Sequence, residues 1–147
     1  MLFALHDGKD SDTPGRIHQA NKYFGDPDDY RKVLKEQDIT EVVESLSVGL
    51  LPPEKHWVTN GEIHNRPMME LSIDKTTIKA GGNDFASIIG IPKGAKVVVS
   101  TSGMHLWTIE KWESGILEVE IPVPCQYRLD VTLWPYQDLY AVLEAVS

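Results

Sequence analysis

The stretch Trp57-Val-Thr-Asn-Gly-Glu-Ile-His-Asn-Arg-Pro-Met-Met69 decides how this chain is read. Asn60-Gly61 is a strong short-range hairpin signal, because both residues accept the positive φ angles of a tight type I′ turn. Trp57-Val58-Thr59 and Glu62-Ile63-His64 then become antiparallel arms, and Trp57 faces His64 across them. Pairing must stop at Arg66-Pro67, since proline has no N–H to donate to a ladder. Beyond it, Glu70 to Ser147 reads as a succession of short strands. The chain is therefore expected to have two parts, residues 1–67 and residues 68–147, with the boundary near Arg66 to Glu70.

Upstream of the hairpin, Met1-Leu2-Phe3-Ala4-Leu5 is apolar but lacks a basic start and breaks at His6-Asp7-Gly8. It is too short for a signal peptide and reads as a first strand. His6 to Gly15 is a loop, rich in the residues turns demand. Arg16-Ile17-His18 reads as a short strand. Asp26-Pro27-Asp28-Asp29 is a helix start: Asp26 caps, Pro27 suits the first helical position, and two carboxylates meet the positive end of the dipole. Tyr30, Val33 and Leu34 fall on one face of that helix, which should end near Gln37. A strand over Ile39 to Leu46 and a turn over Gly49 to Pro53 lead to the hairpin. A piece this short should have little core of its own and be incompletely ordered before about residue 38.

Downstream, strand candidates lie at Glu70–Asp74, Thr76–Ala80, Ala86–Ile91, Lys96–Thr101, His105–Lys111, Leu117–Ile121, Gln126–Trp134 and Leu139–Val146. Leu117, Val119 and Ile121 alternate with Glu118 and Glu120, so one face is buried and one is wet. Tyr127, Leu129, Val131 and Leu133 alternate with Arg128, Asp130 and Thr132 in the same way. About seven strands in roughly 78 residues is the pattern of an immunoglobulin-like β-sandwich. The expected fold class is thus mainly β, a short N-terminal α+β module followed by such a sandwich. The single cysteine, Cys125, excludes an intrachain disulfide, so apolar packing must hold the sheets together.

Composition narrows the function classes. Acidic residues number 22 and basic residues 14, a formal net charge of -8. That sign opposes nucleic acid as a partner, which needs clustered Lys and Arg. The largest basic cluster, Arg31-Lys32 with Lys35, sits beside Asp28, Asp29 and Glu36 and reads as a solvated helix face. Nothing approaches the ~18 apolar residues of a membrane span. A lone cysteine fits a reducing compartment.

Candidate chemistry is sparse. Asp7, Asp10 and Asp12 share a loop that could attract a hard cation, but Pro14 sits where a ligand should be, and solvated loop acids are the preferred reading. His6, His18, His56, His64 and His105 show no zinc spacing. Cys125 has no base or orienting group in any motif and reads as a half-buried structural thiol. Ala80-Gly81-Gly82-Asn83-Asp84 lacks a phosphate-loop context and reads as a turn. No metal, no cofactor and no catalytic centre is expected. The aromatic residues Trp107, Trp112, Trp134, Tyr136 and Tyr140 crowd the second half. Core filling is the preferred role for Trp134. Trp112, flanked by Glu110-Lys111 and Glu113-Ser114-Gly115, is expected to be exposed and to anchor an interface, together with Asn60, Gly61, Trp57 and His64 of the hairpin.

Two sets of residues resemble small proteins encoded among the tail genes of tailed bacteriophages. One is His56-Trp57-Val58, Asn60-Gly61-Glu62-Ile63 and Arg66-Pro67-Met68. The other is Ile88-Ile89-Gly90-Ile91-Pro92-Lys93-Gly94-Ala95 with the later Tyr127 and Trp134-Pro135-Tyr136. The resemblance spans roughly residues 39–147 and is loose before that. It departs at Pro124-Cys125-Gln126-Tyr127, where the family places a Pro-Gly turn ahead of the tyrosine. It implies a non-enzymatic structural component of the virion, made in the host bacterial cytoplasm and sited in the tail, baseplate or tail-fibre attachment. Its partners would be other virion proteins, with several copies per particle in a symmetric assembly and neither nucleic acid nor membrane as a partner. Alternatives are a capsid decoration protein, a carbohydrate-binding host-adhesion module and an unrecognised enzyme. The long, one-sidedly apolar strand Gln126–Trp134 and the final strand are expected to be the free sheet edges that seek partners.

Overall fold

A computed structural model describes residues 1–46 and 51–147. The protein is mainly β, with one helix among the described residues. The chain divides into two compact units, Met1–Arg66 and Pro67–Ser147.

In the N-terminal unit, β1 (Leu2–His6) is the middle strand of a three-stranded antiparallel sheet, flanked by β2 (Ile17–Lys22) and β3 (Val42–Ser45). Its run of consecutive apolar residues has a simple cause: both faces of the strand are covered. Phe3 and Leu5 pack with Leu34 of α1 (Pro27–Glu36), and Tyr30, Tyr23 and Val42 close that cluster. Ala4 packs on the opposite face with Ile17 and with Val58 of the hairpin β4 (His56–Thr59) and β5 (Glu62–Asn65). This corrects the expectation of a piece with little core, since Phe3 and Ala4 are both wholly buried. The Asp26 side chain accepts the Asp28 N–H at 3.0 Å, and Pro27 opens the helix. Val33 is 42% exposed and does not join the buried stripe, because the helix makes its apolar contact with the sheet through Leu34 and Tyr30. Arg31 ties the helix to β3 through two hydrogen bonds to the Glu44 carboxylate, at 2.7 and 2.6 Å.

The hairpin has the expected turn and register. Asn60 and Gly61 take φ of 52° and 75°, and Trp57 pairs with His64. It is fastened to the sheet unit by Gly15, whose carbonyl accepts the Val58 N–H at 2.8 Å. A Cβ on Gly15 would lie 1.9 Å from the Val58 oxygen, so only glycine allows this approach. Gly49 and Leu50 of the expected turn lie outside the described residues, and the strand expected from Ile39 shortens to Val42–Ser45.

The C-terminal unit holds β6 (Ser72–Ile73), β7 (Thr77–Lys79), β8 (Phe85–Ile89), β9 (Lys96–Thr101), β10 (Met104–Ile109), β11 (Leu117–Glu120), β12 (Cys125–Thr132) and β13 (Leu139–Val146). They form a five-stranded sheet, β10-β9-β12-β13-β7, and a three-stranded sheet, β11-β8-β6. All neighbours are antiparallel except β13 and β7. Both sheets feed one core: Ala86, Ile88, Leu117 and Val119 from the smaller, Val97, Val99, Leu129, Val131 and Leu143 from the larger. Pro67 belongs here, because its carbonyl accepts the Gln137 N–H at 2.8 Å.

One expectation fails outright. β12 and β13 are interior strands, not edges: β12 lies between β9 and β13, and β13 lies between β12 and β7. The long alternating pattern that suggested an unsatisfied edge is what a central strand needs, since it buries the most side chains. The edges are β10 and β7 in the larger sheet, β11 and β6 in the smaller.

Candidate functional site

The inner face of β12 is fixed by Tyr127, Leu129 and Val131, all buried. Alternation then sends Arg128 and Asp130 to the outer face of the five-stranded sheet. Register sets their neighbours. Arg128 stands between Ser100 of β9 and Val142 of β13, and Asp130 stands between Val98 and Tyr140. The Arg128 guanidinium lies 4.2 Å from the centre of the Tyr140 ring, a cation–π distance. Its Nη2 meets the Asp130 carboxylate at 2.9 Å. Hydrogen bonding to Asp130 raises the Arg128 pKa further above its already high value, so the charge is permanent. Tyr140 is 64% exposed and Val142 is exposed beside it. At one end of this face, Ser100, Ser102, Gly103, Gln126, Arg128 and Val142 line a shallow depression of about 350 Å³. Between the sheets, Leu71, Ile73, Ile88, Leu129 and Leu139 line an apolar cavity of about 190 Å³.

No known protein family, curated protein or solved structure matches the chain.

The residues singled out from sequence fare differently. Asn60 and Gly61 form the exposed hairpin tip. His64 is exposed and its Nε2 lies 3.5 Å from the Glu62 carboxylate, while Trp57 opposite it is half-buried and bridges to Arg16. Trp112 is not exposed. It is half-buried and packs on the core of its own unit, and its backbone N–H donates to the Ala95 carbonyl at 2.8 Å. Its indole Nε1 is buried with no hydrogen-bond partner among the described residues. Charged neighbours in sequence misled here: Lys111 and Glu113 turn outward and the indole turns in.

The remaining chemistry is local. The Asp7 carboxylate accepts the Thr13 hydroxyl at 2.6 Å and helps to close the first loop. Among the described residues, no group of three or more His, Cys, Asp or Glu could hold a metal ion. Cys125 is half-buried at the start of β12, with its Sγ 3.0 Å from the Thr101 hydroxyl. Asp84, in the loop after β7, accepts the Lys79 N–H at 2.9 Å and pairs with Lys75, and the Lys75 ammonium holds its carboxyl below the usual range. No helix among the described residues is long and apolar enough to cross a membrane. The Arg128–Tyr140 stack was missed from sequence because it depends on the β12–β13 register, which no local pattern reveals.

Proposed function

We propose that this protein is a structural component of a bacteriophage virion, in the tail, baseplate or tail-fibre attachment region, acting by protein–protein docking rather than by catalysis. The observation that carries the docking reading is the outer face of the five-stranded sheet. It presents an exposed tyrosine stacked on an arginine, with an exposed valine alongside, on rigid strands. Tyr and Arg are the residue types that dominate interface hot spots. The virion assignment rests on the tail-protein resemblance over roughly residues 39–147.

The finer fold reading is a small α+β module followed by an immunoglobulin-like sandwich. Strand order supports it: β6-β8-β11 corresponds to strands A, B and E, and β7-β13-β12-β9-β10 to a split first strand followed by G, F, C and C′. Tyr127 supports it too. It sits near the start of the F-like strand, and its hydroxyl donates back to the Val123 carbonyl at 3.0 Å, the geometry of a tyrosine corner. Leu129, two residues on, occupies the place of the second inter-sheet cysteine, and apolar packing takes over that role.

Imaging purified particles with an antibody or a tag on this chain tests the function. The expected result is label at the tail, in several symmetric copies. Label on the head would turn the reading to capsid decoration, and absence from purified particles would overturn it. The depression lined by Ser100, Ser102, Gln126 and Arg128 favours a second reading, carbohydrate adhesion, which a glycan array would detect.

A further inference from the structure

The strand edges of the C-terminal unit are guarded unequally. β6 has two residues and β7 three, the latter ending at Lys79. β11 reads Leu-Glu-Val-Glu and exposes Glu118 and Glu120. β10 is different: Met104-His-Leu-Trp-Thr-Ile109 is six residues with no formal charge and no proline. Among the described residues, only β9 pairs with it. Soluble proteins blunt edges with charge, proline, shortness or a bulge. β10 has only the last, a register shift between His105 and Trp107 that leaves Leu106 outside the ladder. Leu106 is 42% exposed and Met104 63%.

We infer that β10 is the strand through which two copies of this chain associate, antiparallel about a two-fold axis, joining their five-stranded sheets edge to edge. A two-fold contact must be self-complementary, and an antiparallel pairing of one strand with itself meets that condition. His105 pairs with Ser100 and Thr108 with Val98, positions that share the outer face with Arg128 and Asp130. Setting His105 opposite Thr108 of the second copy therefore keeps outer residues against outer residues. Among the edges of this unit, charge makes this one the least costly for a second copy to approach. Two chains of net charge -8 repel, and an uncharged stretch is where their approach costs least. Beside it, Lys96 and Glu110 face each other at 3.6 Å and offset one another. The inference stands on this edge alone and does not depend on the virion assignment.

A six-residue edge buries less than the ~1,200 Å² of a standard interface, so the dimer should be weak, with a dissociation constant on the order of 50 µM. Sedimentation velocity on the full chain from about 5 to about 500 µM brackets that value. The wild type should pass from monomer to dimer. Leu106→Lys should weaken association about tenfold or more by placing like charges near the axis, and Met104→Lys, opposite Ile109 in this register, should weaken it about threefold or more by putting a charge into the apolar part of the contact. Ile116→Lys makes the same change of charge at an exposed residue off the edge and should follow the wild type. Hydrogen exchange should show β10 amides gaining protection with concentration. A wild type that stays monomeric at the highest concentration overturns the inference. So does a dimer untouched by both edge variants, or one weakened equally by Ile116→Lys. Circular dichroism checks folding; if Leu106→Lys fails to fold, Met104→Lys, at a more exposed position, carries the test.

Discussion

Replacing Tyr127 by phenylalanine removes one atom and isolates one interaction. The ring is 6% exposed and packs in the core, so the substitution leaves its packing in place. What is lost is the hydroxyl's hydrogen bond to the Val123 carbonyl, 3.0 Å long. Val123 is itself 57% exposed, so its carbonyl is expected to regain water once the hydroxyl is gone. The loss is then the net value of one hydrogen bond, about 1 kcal/mol, not the larger penalty of an unsatisfied group. For a unit of this size that lowers Tm by roughly 4–8 °C. Tyr127→Ala, which also empties the ring's site, should lose about 3–5 kcal/mol. Urea unfolding followed by tryptophan emission is the assay, because Trp107, Trp112 and Trp134 all lie in the C-terminal unit. The slope with urea should not change. If Tyr127→Phe matches the wild type within about 0.3 kcal/mol, the hydroxyl does not fasten the segment between β11 and β12. A loss above roughly 3 kcal/mol would show that the Val123 carbonyl is shut off from water, contrary to its exposure.

Gly15→Ala should destabilise the N-terminal unit by more than about 2 kcal/mol, since it combines a left-handed backbone with a collision at the Val58 oxygen; an unchanged thermal melt would contradict the close approach. Asp84→Asn should flatten the acid limb of stability. The Asp84 carboxyl is held below its ordinary value by Lys75, so its contribution is complete above the unfolded pKa and is lost as pH falls through the folded one. Equal acid slopes for variant and wild type would refute this. Glu44 should behave in the same sense through Arg31, and Glu44→Gln should loosen α1 from β3, read as faster amide exchange in the helix. Residues Pro67–Ser147, expressed alone, should unfold in one cooperative transition, and a fragment without dispersed amide signals would show that the unit cannot stand by itself.

What the sequence revealed depended on how local the cause was. Asn60-Gly61 dictates its own turn, and the turn fixes the pairing of Trp57 with His64, so the hairpin's turn and register were legible, with each arm one residue longer than expected. Asp26-Pro27 announced the helix for the same reason. In the C-terminal unit, turn residues located the strands, and β9 and β13 have the bounds expected. Alternation shows which side of a strand is buried but not which strands lie beside it. For that reason β12 and β13 could be mistaken for edges, and the Arg128–Tyr140 stack went unseen. Trp112 shows a related limit: flanking charges describe the backbone's surroundings, while a large side chain can still fold back onto the core.

The parallel pairing of β7 with β13 also has a mechanical meaning. β7 lies near the start of the C-terminal unit and β13 at its end, and the two run side by side in the same direction. A tension applied between the ends of this unit would drag them past each other lengthwise. The bonds that span this seam, Glu144 N–H to the Thr76 carbonyl and Ala80 N–H to the Val146 carbonyl, would then be loaded together in shear instead of opening one at a time. The unit is thereby built to carry a pull along the chain, with β7 and β13 acting as a clamp.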